Sequence, residues 1–280
     1  MMIRHLSLSN FRNYTRLELD LPAGVSLFQG DNAQGKTNLL ESVYYLATSR
    51  SLQAVTDIEV VNWLVRDDPL AFARLVADVE QEGRTQRFEL TLTPSNNHSA
   101  ASASNFRKQI RIDGVPKRAM DLLGLLNVVI FRPQDIDLVA GGPGFRRKYL
   151  DVMLCQIDSR YCRALQLYNR VLNQRNCLLR NLREGRGPHD QLVYWDQRLA
   201  EHGAYVTARR ALALSRLDRS SRDVHAGLTE NGGMLHLTYQ PSLGAVGLEP
   251  IPSPAAGEDW EIAGPVVGEL SGAFQSGLER

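Results

Sequence analysis

The chain opens on alternation. "IRHLSLSNFRNY" sets Ile3, Leu6 and Leu8 at apolar positions, with His5 a mismatch, and turns near Asn10. "TRLELDL" alternates at Leu17, Leu19 and Leu21 and stops at Pro22. Two such runs predict an antiparallel hairpin. It leads into Val25 to Gln29, a short and mostly apolar stretch that reads as a buried strand. "FARLVADVEQEGRTQRFELTLTP" repeats the pattern about Glu82-Gly83 and predicts a second hairpin. Ser95 to Asn105 is small, polar and aperiodic, the composition of a flexible hairpin tip. "KQIRIDGVPK" predicts a strand turning at Asp113-Gly114, and "LLNVVIFRP" a buried strand closed by Pro133.

From Pro143 the period changes. Leu165, Tyr168, Leu172, Arg175, Leu179 and Leu182 follow the 3-4 spacing of a coiled-coil seam with one charged interruption. "EGRGPHD" breaks that seam, and a second runs through Leu192, Trp195, Leu199, His202 and Val206. The simplest arrangement is an antiparallel helical hairpin. Past Val224, "MLHLTYQP" alternates as a strand, a Pro/Gly-rich loop follows, and "VVGELSGAFQSGLER" reads as a weak helix. The expected organisation is therefore residues 1–142 as an α/β head, 143–228 as a helical arm, and 229–280 as a strand and loop returning toward the head.

Composition narrows the partners. A formal net charge of +1 does not by itself announce a nucleic-acid binder. Between Gly141 and Ser220, however, 15 Lys and Arg stand against 7 Asp and Glu, a local +8 that leaves −7 for the remainder. Nearly all of these cations are arginines, which suit phosphate contacts, although a solvated helix surface has the same appearance. No apolar run reaches the roughly 20 residues of a membrane span, and the N-terminus lacks a signal-peptide core, so a soluble cytoplasmic protein is expected. Cys155, Cys162 and Cys177 form no C-x-x-C pair and read as buried helix residues rather than ligands or redox groups.

The candidate chemistry lies at "GDNAQGKTN": Gly30, Asp31, Asn32, Ala33, Gln34, Gly35, Lys36, Thr37 and Asn38. Gly-x-x-x-x-Gly-Lys-Thr is the complete P-loop spacing. Glycines let successive N–H groups turn inward onto phosphate oxygens; Lys36 would reach the β- and γ-phosphates, and the Thr37 hydroxyl would bind Mg²⁺. Leu39, Leu40, Val43, Tyr44 and Leu46 then recur at near-helical spacing, which sets a helix N-terminus against the phosphates. ATP and Mg²⁺ are the ligands this pattern predicts.

Three segments in order, "LSNFRNY", "GDNAQGKTNLLESVYYLATSRS" and "VVIFRPQDIDLVAGGPGFRRKYLD", resemble the RecF family. These are bacterial recombination and repair ATPases with an ABC-type head related to the SMC proteins. The resemblance implies an α/β, P-loop ABC-type head with an inserted helical-hairpin arm. It further implies an ATP-stabilised dimer that binds double-stranded DNA and gap junctions, works with RecR and RecO, supports recombinase loading, and serves in SOS induction. By the same resemblance Arg12 and Asn13 contact nucleotide, or serve only the turn they occupy. Gln134, in "FRPQD", is either a Q-loop side chain near Mg²⁺ or a turn residue after Pro133. Arg146, Arg147 and Lys148, where head meets arm, are the first choices for DNA contact, and at least one of the three is expected to support structure instead.

Where a RecF chain is expected to continue through an ABC signature (Ser-x-Gly-Gln) and a Walker B strand ending in two acids, neither motif occurs in these 280 residues. The head is then incomplete, and nucleotide binding without turnover is expected, because phosphoryl transfer needs those positioned groups. The alternatives are a P-loop kinase acting on a small acceptor, and a catalytically dead nucleotide-binding fragment.

Overall fold

The computed structural model describes residues 1–95, 106–229, 233–241 and 264–278. They fall into two compact units, Met1–Ile136 and Asp137–Arg280. The division lies a few residues before the Pro143 at which the sequence changes period.

The first unit is built on six antiparallel strands: β1 (Met2–Phe11), β2 (Tyr14–Asp20), β3 (Ala73–Gln81), β4 (Arg84–Pro94), β5 (Phe106–Ile112) and β6 (Val115–Lys117). They pair in the order β2-β1-β3-β4-β5-β6. Two of the turns are the predicted ones. Glu82 and Gly83 have φ of 52° and 76°, and Asp113 and Gly114 have φ of 51° and 79°. Two consecutive left-handed residues match the right-handed twist of the flanking strands. The His5 mismatch also has a cause: the register slips between Ile3 and His5, a bulge that resets the alternation before Leu6 and Leu8 are buried.

One face of the sheet carries Leu6, Leu8, Leu75, Phe88, Leu90, Leu92 and Ile110 into a core shared with Leu39, Tyr45 and Leu46 of helix α1 (Lys36–Thr48). Burying such side chains contributes about 1.5–3 kcal/mol each. Leu122 of the short helix α2 (Ala119–Leu122), together with Leu126, closes the same core.

Two expected strands are absent. Residues 25–29 and 125–132 form no strand, and Val25, Leu27, Val129 and Phe131 are exposed. A strand exists by pairing, and among the described residues no strand lies beside either stretch. The polar tip at 96–105 lies outside the described residues.

The second unit is helical: α3 (Asp137–Ala140), α4 (Pro143–Ile157), α5 (Ser159–Arg183), α6 (Gln191–Leu228) and α7 (Gly264–Leu278). Helices α5 and α6 pack as the expected hairpin. The seam on α5 is displaced, however. Val171 and Leu178 are the buried positions, one residue before the predicted Leu172 and Leu179, and Leu179 is exposed. Val171 and Leu178 are themselves one heptad apart, so the buried face keeps the expected period and differs from the predicted seam only in phase. The charged interruption is neutralised across the hairpin, since Arg175 Nε lies 2.5 Å from Asp196 Oδ1. Residues 233–241 form no strand; the Leu237 N–H donates to Asp218 Oδ1 at 2.7 Å instead of to a strand partner. The weak terminal helix does form, as α7, and packs on α6 through Leu270 against Ala204 and Ala208.

Two Asp–Arg pairs fix the α4–α5 corner to α6. Asp158 caps α5 through the Tyr161 N–H and holds Arg209 at 2.7 Å. Asp151 accepts both Nη2 and Nε of Arg210, and the Tyr161 hydroxyl as well. Cys155 and Cys162 are buried in these helices as expected, whereas Cys177, also expected to be buried, is exposed on α5.

Candidate functional site

The P-loop joins the sheet to α1, and Gly35 is its pivot. It caps α1 with φ +100°, and a Cβ there would stand 2.6 Å from Asn13 Nδ2 and 2.7 Å from Asn13 Oδ1. The backbone angle favours glycine, and a side chain there would also have to displace Asn13. Ala33 also sits in the left-handed region, at φ 64°, which curls the loop between the glycines.

Lys36 folds back over that curl. Its Nζ donates to the carbonyls of Gly30 and Asp31, each at 2.6 Å, so the ammonium stands at the mouth of the loop. The residues from Leu27 to Gln34 are exposed, as is Thr37 in the first helical turn, while Gly35 between them is buried. No acid occupies the first turn of α1, which leaves the positive end of the helix dipole uncompensated. The loop thus sets exposed backbone, a lysine and a hydroxyl at one helix N-terminus, an arrangement chemically suited to a polyphosphate.

The turn between β1 and β2 supports this loop. Asn38 Nδ2 donates to Asn13 Oδ1 at 2.8 Å, and the Tyr14 hydroxyl donates to the Gly35 carbonyl at 3.1 Å. Arg12 lies behind it. Its Nε and Nη2 donate to the two carboxylate oxygens of Glu41, each at 2.9 Å, and Nη1 donates to the Glu59 carbonyl at 2.8 Å. Glu41 also accepts from the Ser51 hydroxyl and the Leu52 N–H. Burial works to raise the Glu41 pKa, but the bonds from Arg12 and Ser51 outweigh it and hold the carboxyl below its ordinary 4.5. Tyr14 and Glu41 are the supporting residues that sequence reasoning missed. Nothing in local spacing marks them, because their partners are 21 and 29 residues away.

Gln134 lies exposed in a 3₁₀ turn, Pro133–Ile136, closed by Asp135 accepting from the Arg132 N–H and guanidinium. Among the described residues no group of three His, Cys, Asp or Glu side chains could hold a metal. A Mg²⁺ here would arrive on the phosphates and keep water ligands, the usual habit of that ion, with the Thr37 hydroxyl available to it.

In the second unit, Arg146 Nη1 donates to the carbonyls of Leu138 and Gly141, at 3.1 and 3.0 Å. It therefore braces the turn from α3 into α4. Arg147 and Lys148 are exposed on α4. Several arm arginines are paired inside the unit, Arg175, Arg209, Arg210 and Arg222 with Asp196, Asp158, Asp151 and Asp218. The surplus positive charge thus resides on exposed residues such as Arg163, Arg170 and Arg183.

Fold and motif define an α/β head of the P-loop class followed in the chain by a helical unit. The AAA domain family matches residues 5–118. The DNA replication and repair protein RecF of Roseiflexus castenholzii is 44% identical over 253 residues, covering 88% of this chain and 64% of that one. Its counterpart in Agathobacter rectalis is 32% identical over 269 residues, 96% of this chain and 70% of that one. Among solved structures, the recombination mediator protein RecF-ATPrS in the RecFOR pathway matches with a TM-score of 0.80 and 27% identity, over 98% of this chain and 66% of that one. The RecF-ATP structure matches with a TM-score of 0.78 and 26% identity, at the same coverage. The chain belongs to the RecF family. It spans about 64% of the length of the first curated relatives.

Proposed function

We propose that this chain binds ATP with Mg²⁺ through Gly30–Asn38 and acts in DNA replication and recombinational repair. The observation that carries the reading is Lys36 poised over the Gly30 and Asp31 carbonyls at the N-terminus of α1, in a chain similar to RecF structures solved with ATP and a related nucleotide. Asn13 borders the loop and Arg12 supports it from behind; Thr37 serves Mg²⁺, and Gln134 is a candidate second contact for the ion. When bound, Mg²⁺ would neutralise phosphate charge. In the cell the chain would work in the cytoplasm on duplex DNA and gap junctions, as an ATP-stabilised dimer with RecR and RecO, in recombinase loading and SOS induction. The relatives are replication and repair proteins, which favours this reading over a P-loop kinase.

Calorimetric titration of Mg-ATP into wild type and Lys36→Ala tests it. Removing a charge-assisted phosphate interaction should weaken binding by roughly 30-fold or more. Lys36 takes no part in the core, so the circular dichroism melt should not move. Equal ATP affinity in a folded variant would remove the P-loop from the reading.

A further inference from the structure

A second concentration of positive charge lies in the first unit, on its sheet rather than on the helical arm. Residues 1–136 carry fifteen Lys and Arg and fifteen Asp and Glu, a balance of zero. Five of those cations nevertheless fall between Arg107 and Arg118, against the single acid Asp113. They follow the outer strands. β6 pairs only with Ile110–Ile112, so from Arg107 to Gln109 the side of β5 away from β4 is an open edge among the described residues. At that edge lies an open groove of about 330 Å³, lined by residues 107–111 of β5 and by Pro116 and Lys117 of β6.

The nearby acids leave three of the groove's four cations without a carboxylate partner. Glu89 stands directly across from Arg111, but it is bound by Arg74 at 2.8 Å. Asp113 accepts the Arg87 N–H at 2.8 Å, and Asp57 holds Lys108 at 2.9 Å on the core side. Arg107, Arg111 and Lys117 are left exposed, with no carboxylate among the groove's lining residues. Charged residues commonly guard a strand edge against pairing with other chains. Here three exposed cations also surround a concave, amide-bearing groove. Arginine pairs bidentately with phosphate oxygens, and open β-edge N–H groups add neutral donors.

We propose that this groove, at the open edge of β5, is a binding site for the sugar-phosphate backbone of DNA, separate from the arm. The proposal rests on the DNA reading above and adds a location to it. Interactions of this kind read no sequence, so binding here should be indifferent to base composition and steeply dependent on salt.

Fluorescence anisotropy of labelled duplex DNA across a salt series tests it, with ATP present. The chain is compared with Arg107→Ala/Arg111→Ala/Lys117→Ala and with the charge-keeping Arg107→Lys/Arg111→Lys. The triple variant should bind more weakly, with the slope of log affinity against log salt shallower by about 0.9 for each phosphate left unneutralised. The lysine variant should recover most of the slope. An unchanged slope in the folded triple variant, with wild type still binding, overturns the groove and leaves the DNA reading intact. No binding by wild type overturns both. A triple variant that loses poly-glutamate binding but keeps DNA binding would assign the groove to acidic peptides and overturn the proposal.

Discussion

Arg12 and Glu41 form a two-pronged ion pair, 2.9 Å on each arm, that ties the β1–β2 turn to the helix carrying the phosphate loop. The Glu41 side chain is only 3% exposed and that of Arg12 18%. Removing one member of so dry a pair leaves the other charge buried and unpaired, at a cost of about 3 kcal/mol or more. Glu41→Ala should therefore lower the urea midpoint by that equivalent, and the Arg12→Ala/Glu41→Ala double variant should be less damaged than the two single losses added together. The sign with pH follows from the lowered carboxyl pKa. The pair's contribution is present above the ordinary 4.5 and fades as pH falls through the lower folded value. Strictly additive losses would show that the two residues act independently.

Gly35→Ala should be worse for binding than for folding. The new Cβ would meet both terminal atoms of Asn13 at 2.6 and 2.7 Å, and alanine disfavours φ +100°. The backbone term is on the order of 1–3 kcal/mol. Asn13 can swing away, because it sits at a surface turn, but it then abandons Asn38 and lets the end of the loop move. The expected result is a modest drop in melting temperature with ATP binding reduced at least tenfold by calorimetry. Wild-type affinity in the variant would mean that the loop tolerates a side chain at its pivot.

His5 supplies a pH dependence of the opposite sign. Its Nδ1 lies 2.7 Å from Asp20 and its Nε2 3.0 Å from Glu18, while Ser7 donates to the same Glu18. The bond to Asp20, opposed by partial burial and helped by Glu18, raises the His5 pKa above its ordinary 6.5. A raised folded pKa contributes stability that is complete below the unfolded value and is lost as pH rises through the folded one. The advantage of wild type over His5→Gln in thermal melts should thus be larger at about pH 6 than at about pH 8. A difference that is flat across this range would place the imidazole outside the pairing network.

What is legible in the sequence is whatever the chain determines locally. Glu82-Gly83 and Asp113-Gly114 mark hairpins because few residue pairs accept two left-handed conformations. Gly30 to Thr37 marks the phosphate loop for the same reason, since each position has its own backbone or chemical requirement. The strands expected at Val25 to Gln29 and Leu125 to Pro133 rest on apolar content, which says that a segment should be buried but not what would pair with it. The α5 seam at Val171 and Leu178 keeps the heptad period but not the predicted phase, which packing against α6 sets and local spacing does not. The Arg12–Glu41 and Tyr14–Gly35 hydrogen bonds join residues far apart in sequence, and only the folded sheet brings them together.

The three consecutive cations Arg146, Arg147 and Lys148 should separate by role. Successive residues on a helix point about 100° apart, so one surface cannot use all three alike. Arg146 is taken by the carbonyls of Leu138 and Gly141, and Arg146→Ala should cost about 1 kcal/mol by exposing those acceptors. Its effect on the salt slope of DNA binding should be small. Arg147 and Lys148 are exposed on α4, and removing them leaves the bracing of the α3–α4 turn intact. If they meet the phosphate backbone, Arg147→Ala/Lys148→Ala should keep the wild-type melting temperature and make the salt slope shallower by about 0.9 per phosphate left unneutralised. Anisotropy titrations with ATP present, run beside thermal melts of both variants, decide between the assignments. A slope that falls with Arg146→Ala but not with the double variant would reverse the roles assigned to Arg146 and to its two neighbours.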